Sequence, residues 1–258
     1  MYTSPLSLQA YKDRYAGQEV LVIAAGPSAP LYRRLLDNCF ATLPKIATIK
    51  QAYNFVDLDS DFHFFNSLNC MNYYIKERPE KLLSVFQDDK DMKKQFNNYD
   101  IRLEVRKDRN NPWQDCLALN HSVGKYSIEN RGIYRPWGPG IMLESVFYLL
   151  EYMGFSTINT IGFDVAEADG SYRHCYQPPV KSRYRTDDID TYNYLRHISG
   201  LSYNTGHGPM KNPSFDEVVM IKKLLPVFHD WLLSQGTKLN IYTTSRFMIE
   251  YDFVHDIP

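Results

Sequence analysis

Four clusters of residues in this 258-residue chain have types and spacing that could do chemistry. The first is Gly26-Pro27-Ser28, directly after the apolar run Glu19–Ala25. A glycine there lets backbone approach a phosphate closely, and a following helix N-terminus favours an anion. The run is neither GxGxxG nor a Walker loop, so a plain strand-to-helix turn is the competing reading. The second is Asp164, in Gly162-Phe163-Asp164 at the end of a strand-like run. Its carboxylate could take a ribose hydroxyl or orient a base; it could equally cap a turn or pair with a buried arginine. The third is Tyr172, Arg173, His174 and Tyr176, just after Asp169-Gly170. Phenols and a guanidinium can hold a departing phosphate without a metal; an exposed loop is the alternative. The fourth is His207 between Gly206 and Gly208. An imidazole titrating near neutrality can take a proton from a hydroxyl.

Metal chemistry has a weaker footing. Asp57, Asp59 and Asp61 have the spacing to hold a divalent ion beside a diphosphate, but they read better as a turn before the next strand. The four cysteines form no CxxC pair, which argues against a zinc site of ordinary pattern and for reduced thiols. No metal site is expected. A formal net charge of −1 gives no basic field for nucleic acid. No signal-type N-terminus and no apolar run near the roughly 20 residues of a membrane span is present, so a cytoplasmic chain with at most peripheral membrane contact is expected.

These residues need elements to position them. Glu19–Ala25 predicts a buried parallel strand, and the LYRRLLDNCF stretch after it a helix. Residues 45–49 and 62–66 predict two more strands, the latter with Asn66 at its carboxyl end. Residues 76–112 read as helices and surface loop, with a further strand near 101–105; residues 110–140 read as irregular. Gly140 opens a helix that Gly154 closes, and a strand follows over 156–165. Residues 216–233 predict a helix that Pro226 should kink or split, and 238–243 a last strand. The expected architecture is one α/β domain over 1–258: a Rossmann-like, mainly parallel sheet of the single-Rossmann, GT-A-like kind, with helices on both faces. Residues 166–206, poor in aliphatic side chains, are expected to act as a substrate-binding lid.

The order of motifs resembles glycosyltransferase family 42, the small bacterial sialyltransferases that use CMP-activated sialic acid, over about residues 18–253. That family's G-N-G-P-S turn is matched by Gly26, Pro27 and Ser28, with Ala25 in place of its asparagine. Gln51 falls where the family has a second asparagine, and Phe65-Asn66-Ser67-Leu68 resembles its F-Y-N-P-S-L stretch. Gly138 and Gly140 stand at its helix-opening turn. Gly154 through Asp164 is similar to its L-G-Y-K-x-I-Y-L-x-G-I-D run, and Ser171-Tyr172 to its N-G-S-S-Y run. Ala166 replaces the first of two phosphate-holding tyrosines. His207 stands where the family keeps its general base. The run GFDVAEADGSYRH is also similar to the flagellar motility accessory factor group.

The resemblance implies an inverting, metal-independent transfer of sialic or another nonulosonic acid from a CMP-sugar to a surface glycan such as lipooligosaccharide. It implies no cofactor beyond that donor substrate. Gly26, Pro27, Ser28, Gln51, Asn66, Gly138, Gly140, Asp164 and Ser171 would bind the donor, with Tyr172, Arg173, Tyr176 and His207 at the chemistry. A homo-oligomer and peripheral inner-membrane contact are in keeping with it. The alternatives are a Mg-dependent pyrophosphokinase or phosphotransferase on a Rossmann-like fold, and a non-catalytic nucleotide-binding protein.

Overall fold

The computed structural model describes residues 8–66, 79–89, 99–106, 122–136, 140–164, 175, 217–245 and 251–258. They build one nine-stranded sheet whose neighbouring strands are all parallel. The strands are β1 (Glu19–Ile23), β2 (Lys45–Ile49), β3 (Phe62–Asn66), β4 (Leu83–Asp89), β5 (Ile101–Arg106), β6 (Tyr134–Pro136), β7 (Thr157–Ile161), β8 (Lys238–Thr243) and β9 (Val254–Asp256). Their spatial order is β6-β5-β4-β3-β2-β1-β7-β8-β9. The chain builds outward from β1 to one edge, then returns to the other side of β1. The order therefore reverses between β1 and β7.

Both faces of the sheet are covered, as buried parallel strands require. Leu21, Ile23, Ile46 and Ile161 pack against Tyr32 and Leu35 of helix α1 (Tyr32–Cys39) and Ala52 of the one-turn helix α2 (Ala52–Phe55). On the opposite face, Val20, Val22, Phe62, Phe64, Val85, Leu103 and Ile241 pack under three helical segments. These are α3 (Ile128–Arg131), α4 (Phe147–Tyr152) with a π-helical turn before it at Met142–Val146, and α5 (Glu217–Ser234). Residues Ile141–Leu150 are buried all round, which is why this segment reads as continuously apolar.

Three strands depart from the sequence expectation. β4 lies in the stretch read as helix and loop, and β6 in the stretch read as irregular. Leu83-Ser84-Val85-Phe86-Gln87 is buried on both faces or nearly so, so it lacks the clean alternation that marks a half-exposed strand. β6 is three residues long, ends at Pro136 and sits at the sheet edge, where proline costs no ladder bond. β9 closes the other edge, paired with β8 at Val254, His255 and Asp256.

Pro226 does not split α5, which runs unbroken from Glu217 to Ser234. Proline has no N–H to give the carbonyl four residues back, which here is Lys222. The Tyr251 hydroxyl donates to that carbonyl at 3.1 Å.

A polar ladder crosses one half of the sheet. Asn159 donates to Glu19 at 3.1 Å, Asn240 donates to the Asn159 side-chain oxygen at 2.8 Å, and His255 Nε2 lies 3.3 Å from the Asn240 oxygen. These residues stand on β1, β7, β8 and β9, so a one-residue slip of any strand would break the ladder and strand buried amides.

Candidate functional site

Open α/β sheets bind ligands outside the carboxyl ends of their strands, where the strand order reverses. Here that point is β1/β7, and it gathers Gly26, Pro27, Ser28, Gly162 and Asp164.

Asp164 is the hub. It is 3% exposed, and both its oxygens accept bonds from protein groups. The Ser28 N–H donates to Oδ2 at 2.7 Å. The Ser28 hydroxyl lies 2.7 and 2.8 Å from the two oxygens. The Thr243 hydroxyl donates to Oδ1, and the Thr244 backbone N–H also donates. Ser28 Oγ in turn accepts from Gly162 N–H at 2.9 Å, and Thr243 Oγ1 from Ser245 N–H at 2.9 Å. One carboxylate thus ties the ends of β1, β7 and β8 together. Burial raises its pKa above 3.8, outweighing the donors that favour the charged form.

This geometry gives the glycines a definite role. A Cβ on Gly26 would stand 2.5 Å from Asp164 Oδ2 and 2.5 Å from the Gly162 carbonyl oxygen. Gly162 has φ +74, and a Cβ there would collide with the Ala24 carbonyl oxygen. Both positions are bare so that the turns can interlock. The backbone donors of the first turn are also committed. Gly26 N–H donates to Gly162 O at 2.8 Å, Ser28 N–H to Asp164, and Ala29 N–H to Gly26 O at 3.0 Å. Pro27 and Pro30 have no N–H. The Gly26-Pro27-Ser28 turn is therefore an interlocking brace, and its amides at 26, 28 and 29 are bonded to protein rather than open to a phosphate.

Cys175 is the described residue nearest in sequence to Tyr176 and Arg173. Its N–H donates to Ala25 O at 2.7 Å, so the chain beyond β7 returns to the β1 turn. Tyr172, Arg173, Tyr176, Ser171, Gly138 and His207 lie outside the described residues, as does the 166–206 segment apart from Cys175.

A second polar group lies along the same edge of the sheet at β3 and β4. Asn66 ends β3, is 4% exposed, and is the register partner of Gln87 on β4. Gln87 is held at both ends of its carboxamide. Its Nε2 donates to Glu144 Oε2 at 2.6 Å, and its Oε1 accepts from the Ser145 hydroxyl at 2.5 Å. Glu144 and Ser145 are consecutive residues of the π-helical turn, and both are buried. Gly140, at φ +117, opens this helix, and its carbonyl accepts from Leu143 and Glu144 N–H. Gln51 follows Lys50, which takes a positive φ of 49 after β2, and stands at the start of α2.

The side chains of Asp57 and Asp61 are committed to protein partners. Asp57 pairs with Arg33 on α1. Asp61 receives Lys45 Nζ and Ile46 N–H, both at 2.8 Å, at the opposite, amino end of β2. The turn before β3 is what these residues form. Among the described residues, no group of three His, Cys, Asp or Glu side chains could hold a metal ion.

Thr243, Gln87, Glu144 and Ser145 were not singled out from sequence. Glu144 carries the clearest signal that could have found it, as the lone acid inside the apolar run IMLESVFYLL. Compared with protein-family models, curated proteins and solved structures, the chain matches none.

Proposed function

We propose that the protein is a glycosyltransferase that moves an acidic sugar of the nonulosonic type from a CMP-activated donor to a glycan acceptor. The observation that carries this reading is the topology. Two motifs that resemble the family, Gly26-Pro27-Ser28 and Gly162-Phe163-Asp164, meet at the sheet's order reversal, where nucleotides bind in open α/β sheets. Asn66, the third such motif, is at the carboxyl end of β3 on the same edge.

In this reading the donor lies along the carboxyl ends of β1 to β4. The amides of the β1 turn are already bonded, so the leaving phosphate is met by side chains. Tyr172, Arg173 and Tyr176 supply the phenols and guanidinium. Cys175 lies beside that turn, its N–H donating to Ala25 O. His207 takes the proton of the acceptor hydroxyl as its oxygen attacks the anomeric carbon. The bond from that carbon to the phosphate oxygen breaks, and CMP leaves with the electron pair. Attack opposite the leaving group inverts the centre. Among the described residues, no helix is long and apolar enough to cross a membrane.

The test is release of CMP from CMP-N-acetylneuraminic acid and its relatives, with acceptor glycans, in the presence of a chelator. His207→Ala should bind donor nearly as well as the parent and turn over roughly 10²–10⁴-fold more slowly. Turnover within a few-fold of the parent would remove His207 as the base.

A further inference from the structure

We infer that Thr244, at the carboxyl end of β8, hydrogen-bonds a hydroxyl group of the acceptor sugar and so is a specificity-determining residue of the transfer. The inference rests on the glycosyltransferase reading and names a residue on its acceptor side.

Three observations point this way. The first is place. The Thr244 N–H donates to Asp164, so Thr244 stands at the order reversal, where ligands bind in open α/β sheets. In the reading above, the donor lies over the ends of β1 to β4 with its phosphate at the β1 turn. The ends of β7 and β8 lie on the other side of that turn. β8 is two strand spacings from β1, about 10 Å at roughly 4.8 Å each. A sugar whose hydroxyl attacks beside the phosphate reaches that far. The second is exposure. Ser28, Asp164, Thr243 and Ser245 are all buried and bond one another within the brace. Thr244 is exposed. Among the described residues at the ends of β1, β7 and β8, its hydroxyl is the polar side-chain group that reaches solvent. The third is rigidity. Thr243 Oγ1 donates to Asp164 and accepts from Ser245 N–H at 2.9 Å, so the residues on both sides of Thr244 are fixed. β-branching restricts χ1 of Thr244 itself, and the hydroxyl is pre-organised before a ligand arrives.

The chemistry selects the partner. A threonine hydroxyl has one donor and two acceptor sites, as a sugar hydroxyl does. Residues 162–164 and 243–245 include no cation, and their one charged side chain is the acid Asp164. Anions are held by charged donors, so these surroundings suit a neutral sugar.

The test uses the full chain, CMP-N-acetylneuraminic acid as donor, and the neutral disaccharides lactose, maltose and cellobiose as acceptors. The parent should release CMP faster with at least one of them. Thr244→Val keeps the shape and the backbone N–H and removes the hydroxyl. It should raise KM for that disaccharide about three- to tenfold, the loss of one neutral hydrogen bond, and leave CMP affinity within about twofold. Thr244→Ser restores a hydroxyl and should return KM toward the parent value. An unchanged KM in Thr244→Val overturns the inference. So does an equal rise in Thr244→Ser, or an equal loss of CMP affinity. CMP release that no disaccharide quickens also overturns it and leaves the donor reading standing. No CMP release at all, with or without acceptor, overturns both.

Discussion

At Asp164 the cost of burying a charge is set against the bonds that hold it. Ser28→Ala removes a donor to that carboxylate and the acceptor of Gly162 N–H, both buried, and should cost about 2–4 kcal/mol in chemical unfolding. Gly26→Ala drives a methyl group into a carboxylate and a carbonyl and should cost more than about 3 kcal/mol. The pH dependence has a definite sign. The folded pKa of Asp164 lies above its unfolded value, so its contribution is fully present below pH 3.8 and is lost as pH rises through the folded pKa. Wild type should therefore gain on Asp164→Asn as urea titrations are taken from neutral pH toward 4. Wild type losing stability relative to Asp164→Asn over that range would contradict the buried, raised carboxylate. His63 runs the other way. Burial lowers its pKa to about 3 while its Nε2–H donates to Lys50 O at 3.0 Å, and Tyr53 stacks on the ring. It should stay neutral from pH 8 to 5 in an NMR titration. By pH 5 its linkage should have removed roughly 2 kcal/mol, at about 1.4 kcal/mol per pH unit below 6.5. Residue types alone marked Gly26-Pro27-Ser28 and Asp164 as two separate candidates, because glycines and a carboxylate at strand ends suit a ligand. That their partner is one another depends on contacts across 136 positions of sequence, which spacing does not reveal.

Elements carry their own compensations. The helix α5 survives Pro226 because Tyr251, from the turn before β9, donates to the Lys222 carbonyl. Tyr251→Phe should cost about 1 kcal/mol, and a double cycle with Pro226→Ala should show coupling, since alanine restores an N–H for that carbonyl. Additive effects would deny the link. β2, β3 and β8 are legible to the residue because each is a short β-branched or aromatic run with turn residues on both sides. β4 is hidden because buried polar groups, Ser84 and Gln87, interrupt its apolar pattern. The π-helical turn leaves little trace in the sequence. Only the lone Glu144 in an apolar stretch marks it.

At the scale of the whole molecule, alternating strands and helices announce a parallel sheet covered on both faces, and that is the architecture found. The strand order was not legible, since it depends on which side of β1 the chain re-enters after β6. That choice creates the order reversal and so decides where a ligand can sit. It draws the motifs of β1, β3 and β7 onto one edge and leaves Asp61 on the other. A cytidine nucleotide bound at this edge without a divalent ion is therefore the central prediction. The most direct measurement is the melting temperature of the purified protein with CMP, CDP, UDP, GDP, ATP and NAD, each with and without Mg²⁺. A ligand at 100 times its dissociation constant adds about 2.7 kcal/mol, which is several degrees for a chain of this size. The predicted result is a shift with CMP that Mg²⁺ does not alter. A shift confined to ATP or a diphosphate, and only with Mg²⁺, would contradict it.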